Sequence, residues 1–147
     1  MKSLARVLLA VLALALPVRA AEEPFVIIVN PASGVTHLSR RQVEEIFMGR
    51  QKYLPSGLAA LPLEQLVPPE VRLRFYQYLV HLPIQEVRAY FARMYFSGQA
   101  QPPHLTQSAE ETVELVLANK GAIGFVLKSK ADRRVRVALE LGEEPPG

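Results

Sequence analysis

Few side chains in this sequence have the types and spacing that chemistry requires. The three histidines, His37, His81 and His104, are far apart, with none of the short spacings that place two imidazoles on one metal ion. Each reads as a surface or capping residue. Ser33-Gly34 stands in a turn after an apolar run, but no G-x-S-x-G elbow surrounds the serine to raise it as a nucleophile. Glu44-Glu45 and Glu110-Glu111 fall in first turns or on solvated faces of expected helices, so neither pair supplies an opposed acid and base. The chain has no cysteine, which removes thiol chemistry and disulfides together. No nucleophile, base and orienting group assemble into a set, so the expectation is a non-enzyme with no cofactor and no metal. Tyr76, Tyr78, Tyr90, Phe91, Tyr95 and Phe96 crowd two consecutive helical segments. They read as core packing, with an exposed patch as the alternative.

The elements that would position these residues are legible. Phe25 to Val29 is an unbroken apolar run of β-branched and aromatic residues, the pattern of a strand buried on both faces. Asn30-Pro31-Ala32-Ser33-Gly34 is turn chemistry. Ser39-x-x-Gln42 predicts a capping box, opening a helix with Val43, Ile46 and Phe47 on one face and Gly49 at its end. Leu61 to Leu66 reads as a short strand. Pro69 suits the first position of a helix that carries Val71, Phe75, Tyr78, Leu79 and Leu82 at helical spacing. Pro83 starts another, through Ile84, Val87, Phe91 and Met94, and Gln101-Pro102-Pro103 follows as a loop. Ser108-x-x-Glu111 predicts a second capping box. Its helix runs to Gly121, which is expected to close it in the left-handed conformation. Ala122 to Leu127 and Arg134 to Leu141 read as strands, and Gly124 should let another backbone come close. The expected fold is α/β, a sandwich of helices around a mixed, mostly parallel sheet.

The first twenty residues read as an address. Lys2 and Arg6 precede the apolar run Val7 to Leu16, and Pro17 breaks it before Val18-Arg19-Ala20. This predicts a secretory signal peptide over residues 1–20, cleaved after Ala20. The run is far short of the roughly 20 apolar residues a bilayer needs. No membrane insertion is expected after cleavage, and the expected location is periplasmic. Three of the 17 basic residues lie in this leader, so basic and acidic residues beyond it balance. A nucleic-acid surface needs a basic stripe, and here the charges are mixed in sign, so no nucleic-acid partner is expected. Residues 21–142 are expected to form one lobe, with residues 143–147 a polar, proline-rich disordered tail.

Several segments together resemble phosphate-type (type 2) periplasmic solute-binding proteins. Gly121-Ala122-Ile123-Gly124-Phe125 is similar to their "pGAIGY" element, with Phe125 in place of the usual Tyr. Leu38 to Arg50 resembles "lsr.ql..IF.Gk", Tyr53 to Gly57 the "W.dG" turn, Phe75 to Leu79 "F..yL", and Ala89 to Gly98 "yw....fsG". The resemblance covers nearly all of the chain after the leader. It implies a three-layer sandwich like one lobe of a two-lobed protein that clamps an anion between its lobes. It also implies phosphate or another small oxyanion as ligand, and a membrane transporter or sensor protein as partner.

The ligand segment departs from the family. Where the family has "R-s-x-G-S-G-T", this chain has Leu63-Glu64-Gln65-Leu66-Val67-Pro68-Pro69-Glu70. The arginine fork is missing, two prolines remove N–H donors, and two glutamates add negative charge. Arg72 reads first as an exposed helical arginine and second as a substitute for the missing fork. The anion-binding candidates are therefore Arg72 and the turn at Asn30, Ser33 and Gly34. Two functions remain. One is an exported phosphate or oxyanion solute-binding-like protein with weak or lost binding. The other is a periplasmic protein-interaction or sensory-accessory domain with no small-molecule ligand.

Overall fold

A computed structural model describes residues 22–142. The expected signal peptide and tail lie outside the described residues. The elements, in chain order, are β1 (Phe25–Val29), α1 (Arg40–Phe47), β2 (Leu61–Gln65), α2 (Pro69–Val80), α3 (Ile84–Phe96), β3 (His104–Thr106), α4 (Ala109–Ala118), β4 (Ala122–Leu127) and β5 (Arg136–Leu141). A single 3-10 turn, Lys128–Lys130, links the last two strands.

The strands form one five-stranded sheet in the order β3-β2-β4-β1-β5. β2 is parallel to β3 and β4, while β1 is antiparallel to β4 and β5. Four strands therefore run one way and β1 runs against them, giving the mixed, mostly parallel sheet expected. All of β1 is buried, and its side chains alternate between two cores. Phe25, Ile27 and Val29 join Ile123 and Phe125 beneath α1, α2 and α3. Val26 and Ile28 join Leu63 and Val126 beneath α4. This is why the run shows no polar alternation: each face of the strand meets a helical layer, and each large side chain so buried contributes about 1.5–3 kcal/mol.

Local signals explain most element ends. Gln42 N–H donates to Ser39 Oγ at 3.1 Å, and Ser39 N–H donates to Gln42 Oε1 at 2.8 Å, so the first capping box is complete. Pro69 is the first residue of α2, and His81 closes that helix in the left-handed region at φ 57°. Pro83 is the residue before α3 rather than its first residue. At α4 only half of the expected box forms. Glu111 N–H donates to Ser108 Oγ at 3.1 Å, but the Glu111 carboxylate accepts from Gln107 N–H at 2.6 Å, one residue earlier than the pattern predicts. The edge strand β3 occupies residues for which the sequence pattern names no element. At three residues it is too short to show a period.

The glycines near β4 depart from their expected roles. α4 ends at Ala118, with Asn119 extended at its C-cap, and Gly121 does not take the left-handed conformation. It is glycine because a Cβ there would lie 2.1 Å from the Ala59 carbonyl oxygen. The chain entering β2 crosses at that point, and Leu61 N–H donates to Gly121 O at 2.9 Å. Gly124 makes room for side chains rather than a backbone: a Cβ would meet Thr112 Cγ2 at 2.6 Å. The missing methyl lets α4 settle against the centre of the sheet.

Candidate functional site

Strand order marks one position in the sheet. From β2 the chain moves outward to β3, then returns over α4 to β4 on the other side of β2. In open α/β sheets the crevice for a ligand lies beyond the carboxyl ends of the strands where the order reverses, here between β2 and β4. The carboxyl ends of β2 and β3 and the N-termini of α2 and α4 lie on that side of the sheet.

Glu64 stands at this position, near the carboxyl end of β2. Leu63 points to the α4 side, so Glu64 points to the α2 side, where it is 2% exposed. Its Oε1 forms an ion pair with Arg72 Nε, and its Oε2 accepts from the Tyr76 hydroxyl at 2.5 Å. Arg72 and Tyr76 are four residues apart on α2, so their side chains share one face of the helix. Burial raises the Glu64 carboxyl above the usual carboxylate range, and the Tyr76 hydroxyl and Arg72 pull it back only in part. Burial, reinforced by the neighbouring carboxylate, also pushes the Tyr76 phenol well above its ordinary value.

The helix N-termini around this cluster are already filled. Pro68 and Pro69 bring no N–H groups, and Glu70 follows in the first turn of α2. Ser108 caps α4, and Glu110 and Glu111 supply the negative charge that its dipole favours. Behind them, Thr106 and Thr112 share a hydrogen bond at 2.7 Å, and Gln65 Nε2 donates to Val67 O at 2.6 Å. Gln65 Oε1 is buried without a hydrogen-bond partner.

The structure does not bring the four sequence-derived candidates together. Val29 pairs with Ile123 at the start of β4, so Asn30, Ser33 and Gly34 lie at the amino end of the parallel strands. Arg72 lies at the carboxyl end. Asn30 Nδ2 donates to the carbonyls of Val116 at 3.0 Å and Leu117 at 3.2 Å, satisfying the last turn of α4. Its Oδ1 accepts from Ala32 N–H, and Ser33 Oγ accepts from Val35 N–H. Gly34 takes φ 78° in the turn. A helix C-terminus is the negative pole of its dipole and repels anions. Arg72 is not an exposed helical arginine; its side chain is 18% exposed and committed to Glu64. From the sequence, Glu64 reads as a charge opposing an anion and Tyr76 as a packing aromatic. The signal for their partnership was a lone carboxylate in an apolar strand followed by Arg and Tyr at helical spacing.

A concavity lies away from this cluster. It is a groove of about 1020 Å3 where α3 ends and β2 and β3 begin, lined by Lys52, Leu61, Tyr95, His104 and Leu105 among others. Phe96, beside it in sequence, is 87% exposed.

No family model and no curated protein matches the chain. Solved structures do. An ABC-type phosphate transport receptor from Vibrio cholerae superposes with a TM-score of 0.63 at 19% identity, covering 80% of this chain and 46% of that one. A putative phosphate ABC transporter substrate-binding protein from Clostridium perfringens, with bound phosphate, superposes at 0.61 and 14% identity, covering 80% and 45%. The chain thus has the fold of part of a phosphate-type substrate-binding protein, and it spans about half the length of these neighbours. No helix among the described residues is long and apolar enough to cross a membrane.

Proposed function

We propose that this chain is an exported relative of phosphate-type solute-binding proteins, acting in the periplasm, in which anion binding is weak or lost. The observation that carries the reading is the Glu64–Arg72 ion pair. The Arg72 guanidinium, the candidate for an anion at this position, already holds a carboxylate that is 2% exposed. An incoming phosphate would have to displace a covalently tethered competitor, and Pro68 and Pro69 offer it no N–H in return. Of the four candidate ligands, Arg72 carries this reading; Asn30, Ser33 and Gly34 face the far end of the sheet. The fold neighbours support phosphate or another small oxyanion as the class of any ligand, and a membrane transporter or sensor protein as the class of partner.

Calorimetric titration of the exported protein with phosphate and sulfate tests this. The expected dissociation constant is no tighter than about 0.1 mM, or roughly −5.5 kcal/mol. A micromolar phosphate complex of the monomer overturns it.

One observation favours the second reading, a protein-interaction or sensory-accessory domain without a small-molecule ligand. Tyr95 and Phe96, at 60% and 87% exposed, stand out from the end of α3 beside a groove that also exposes Leu61 and Leu105. Apolar surface of this kind marks contact sites. In the two-helix aromatic set, Tyr76 and Phe91 are core and Tyr95 and Phe96 are not.

A further inference from the structure

We propose that Glu64 is the built-in ligand of a carboxylate-binding site, and that removing its side chain lets a free small monocarboxylate take its place between Arg72 and Tyr76. This rests on the reading above that the anion position is filled by the chain itself, and it names the chemical class the site accepts.

Three features make this a site rather than an isolated core ion pair. It stands at the reversal of strand order, the position at which open α/β folds bind their ligands. Both donors come from one element, α2, so their placement does not depend on Glu64. Tyr76 is fully buried and set by Phe75, whose ring centroid is 5.3 Å away, and Arg72 is largely buried beside it. Truncating Glu64 would therefore leave a guanidinium and a phenol O–H aimed at the same small void. A buried cation without its partner is costly, so the void favours an anion.

Shape then selects the anion. Glu64→Ala removes one methylene and a carboxylate, which are the heavy atoms of acetate; formate is one carbon smaller. A planar carboxylate pairs with Arg72 through one oxygen and accepts from Tyr76 on the other, as Glu64 does. Phosphate brings four oxygens and more charge to a site with two donors. It would find Pro68 and Pro69 where N–H groups are needed, and Glu70 in the same helical turn.

The test is thermal melting of Glu64→Ala at neutral pH in sodium acetate, formate, phosphate or chloride of equal ionic strength. The variant should melt below the unaltered protein. Acetate and formate should restore it, with an apparent dissociation constant on the order of 1–10 mM. At 100 mM that corresponds to a gain of about 4 °C or more over chloride. The unaltered protein and the Glu64→Ala/Arg72→Ala double variant should show no such preference. If Glu64→Ala does not fold alone, refolding from urea is compared in acetate and chloride, and recovery of a cooperative melt in acetate only is the expected result. Acetate no better than chloride, an equal gain in the double variant, or phosphate better than acetate each overturns the proposal. Micromolar phosphate binding by the unaltered chain would instead overturn the functional reading beneath it. A silent variant beside an unaltered chain that ignores phosphate removes this inference alone.

Discussion

Phe75 of α2 lies flat on Phe125 of β4, with ring centroids 3.6 Å apart and planes 7° from parallel. Phe25 and Phe47 close on the same pair from β1 and α1, with centroids 5.0 to 6.0 Å away. This cluster joins the middle of the sheet to two helices, and it explains why position 125 carries no hydroxyl: the ring is fully buried among apolar neighbours.

Phe125→Ala should therefore cost about 3–5 kcal/mol of stability, the range for removing a large buried aromatic. Urea unfolding measures it. A loss below about 1 kcal/mol would show that the ring is not part of the core.

Two glycines separate steric from conformational constraint. Gly98 takes φ 71° with open space around it, so Gly98→Ala should cost only the left-handed strain, about 1–2 kcal/mol. Gly121 has no such φ, but its new methyl would strike the Ala59 carbonyl where two backbone segments cross. Gly121→Ala should cost more, about 3 kcal/mol. The reverse order in paired denaturant melts would contradict the crossing.

The Glu64 carboxyl is raised by burial, which fixes the sign of one pH effect. A carboxyl held above its unfolded value of about 4.3 contributes its full share of stability below that pH. It loses that share as pH rises through the folded value. Glu64→Gln cannot titrate. The stability gap between the unaltered protein and this variant should be widest near pH 4 and narrow as pH rises. A gap that stays constant or widens from pH 4 to 8 would show that the carboxyl is not raised.

The leader prediction concerns processing. The exported protein should begin at Ala21, as read by intact mass. The residues that follow are held at once: Glu22 accepts from the Tyr78 hydroxyl at 3.0 Å and pairs with Arg74 at 3.0 Å, and Arg74 also donates to the Glu23 carbonyl at 2.8 Å. A retained Met1 in a membrane fraction would reverse the expected location.

By itself the sequence determined which segments become elements, because their signals are local. An unbroken apolar run, a Ser-x-x-Gln box and a proline at a helix start act within a few residues, and β1, α1 and α2 form where these signals stand. The resemblance to one lobe of a phosphate-type binding protein was legible for the same reason, since it rests on short segments in a fixed order. Only the tertiary structure decided what the polar residues do. Asn30 and Arg72 stand at opposite ends of the sheet because β1 runs against its neighbours, and no local pattern states a strand's direction. Gly121 is required by a carbonyl 62 positions earlier, at Ala59. Glu64 was visible as a charge, but its partners were not. Whether a buried carboxylate repels a ligand or replaces one depends on which helix face packs over it, and that is settled by long-range packing.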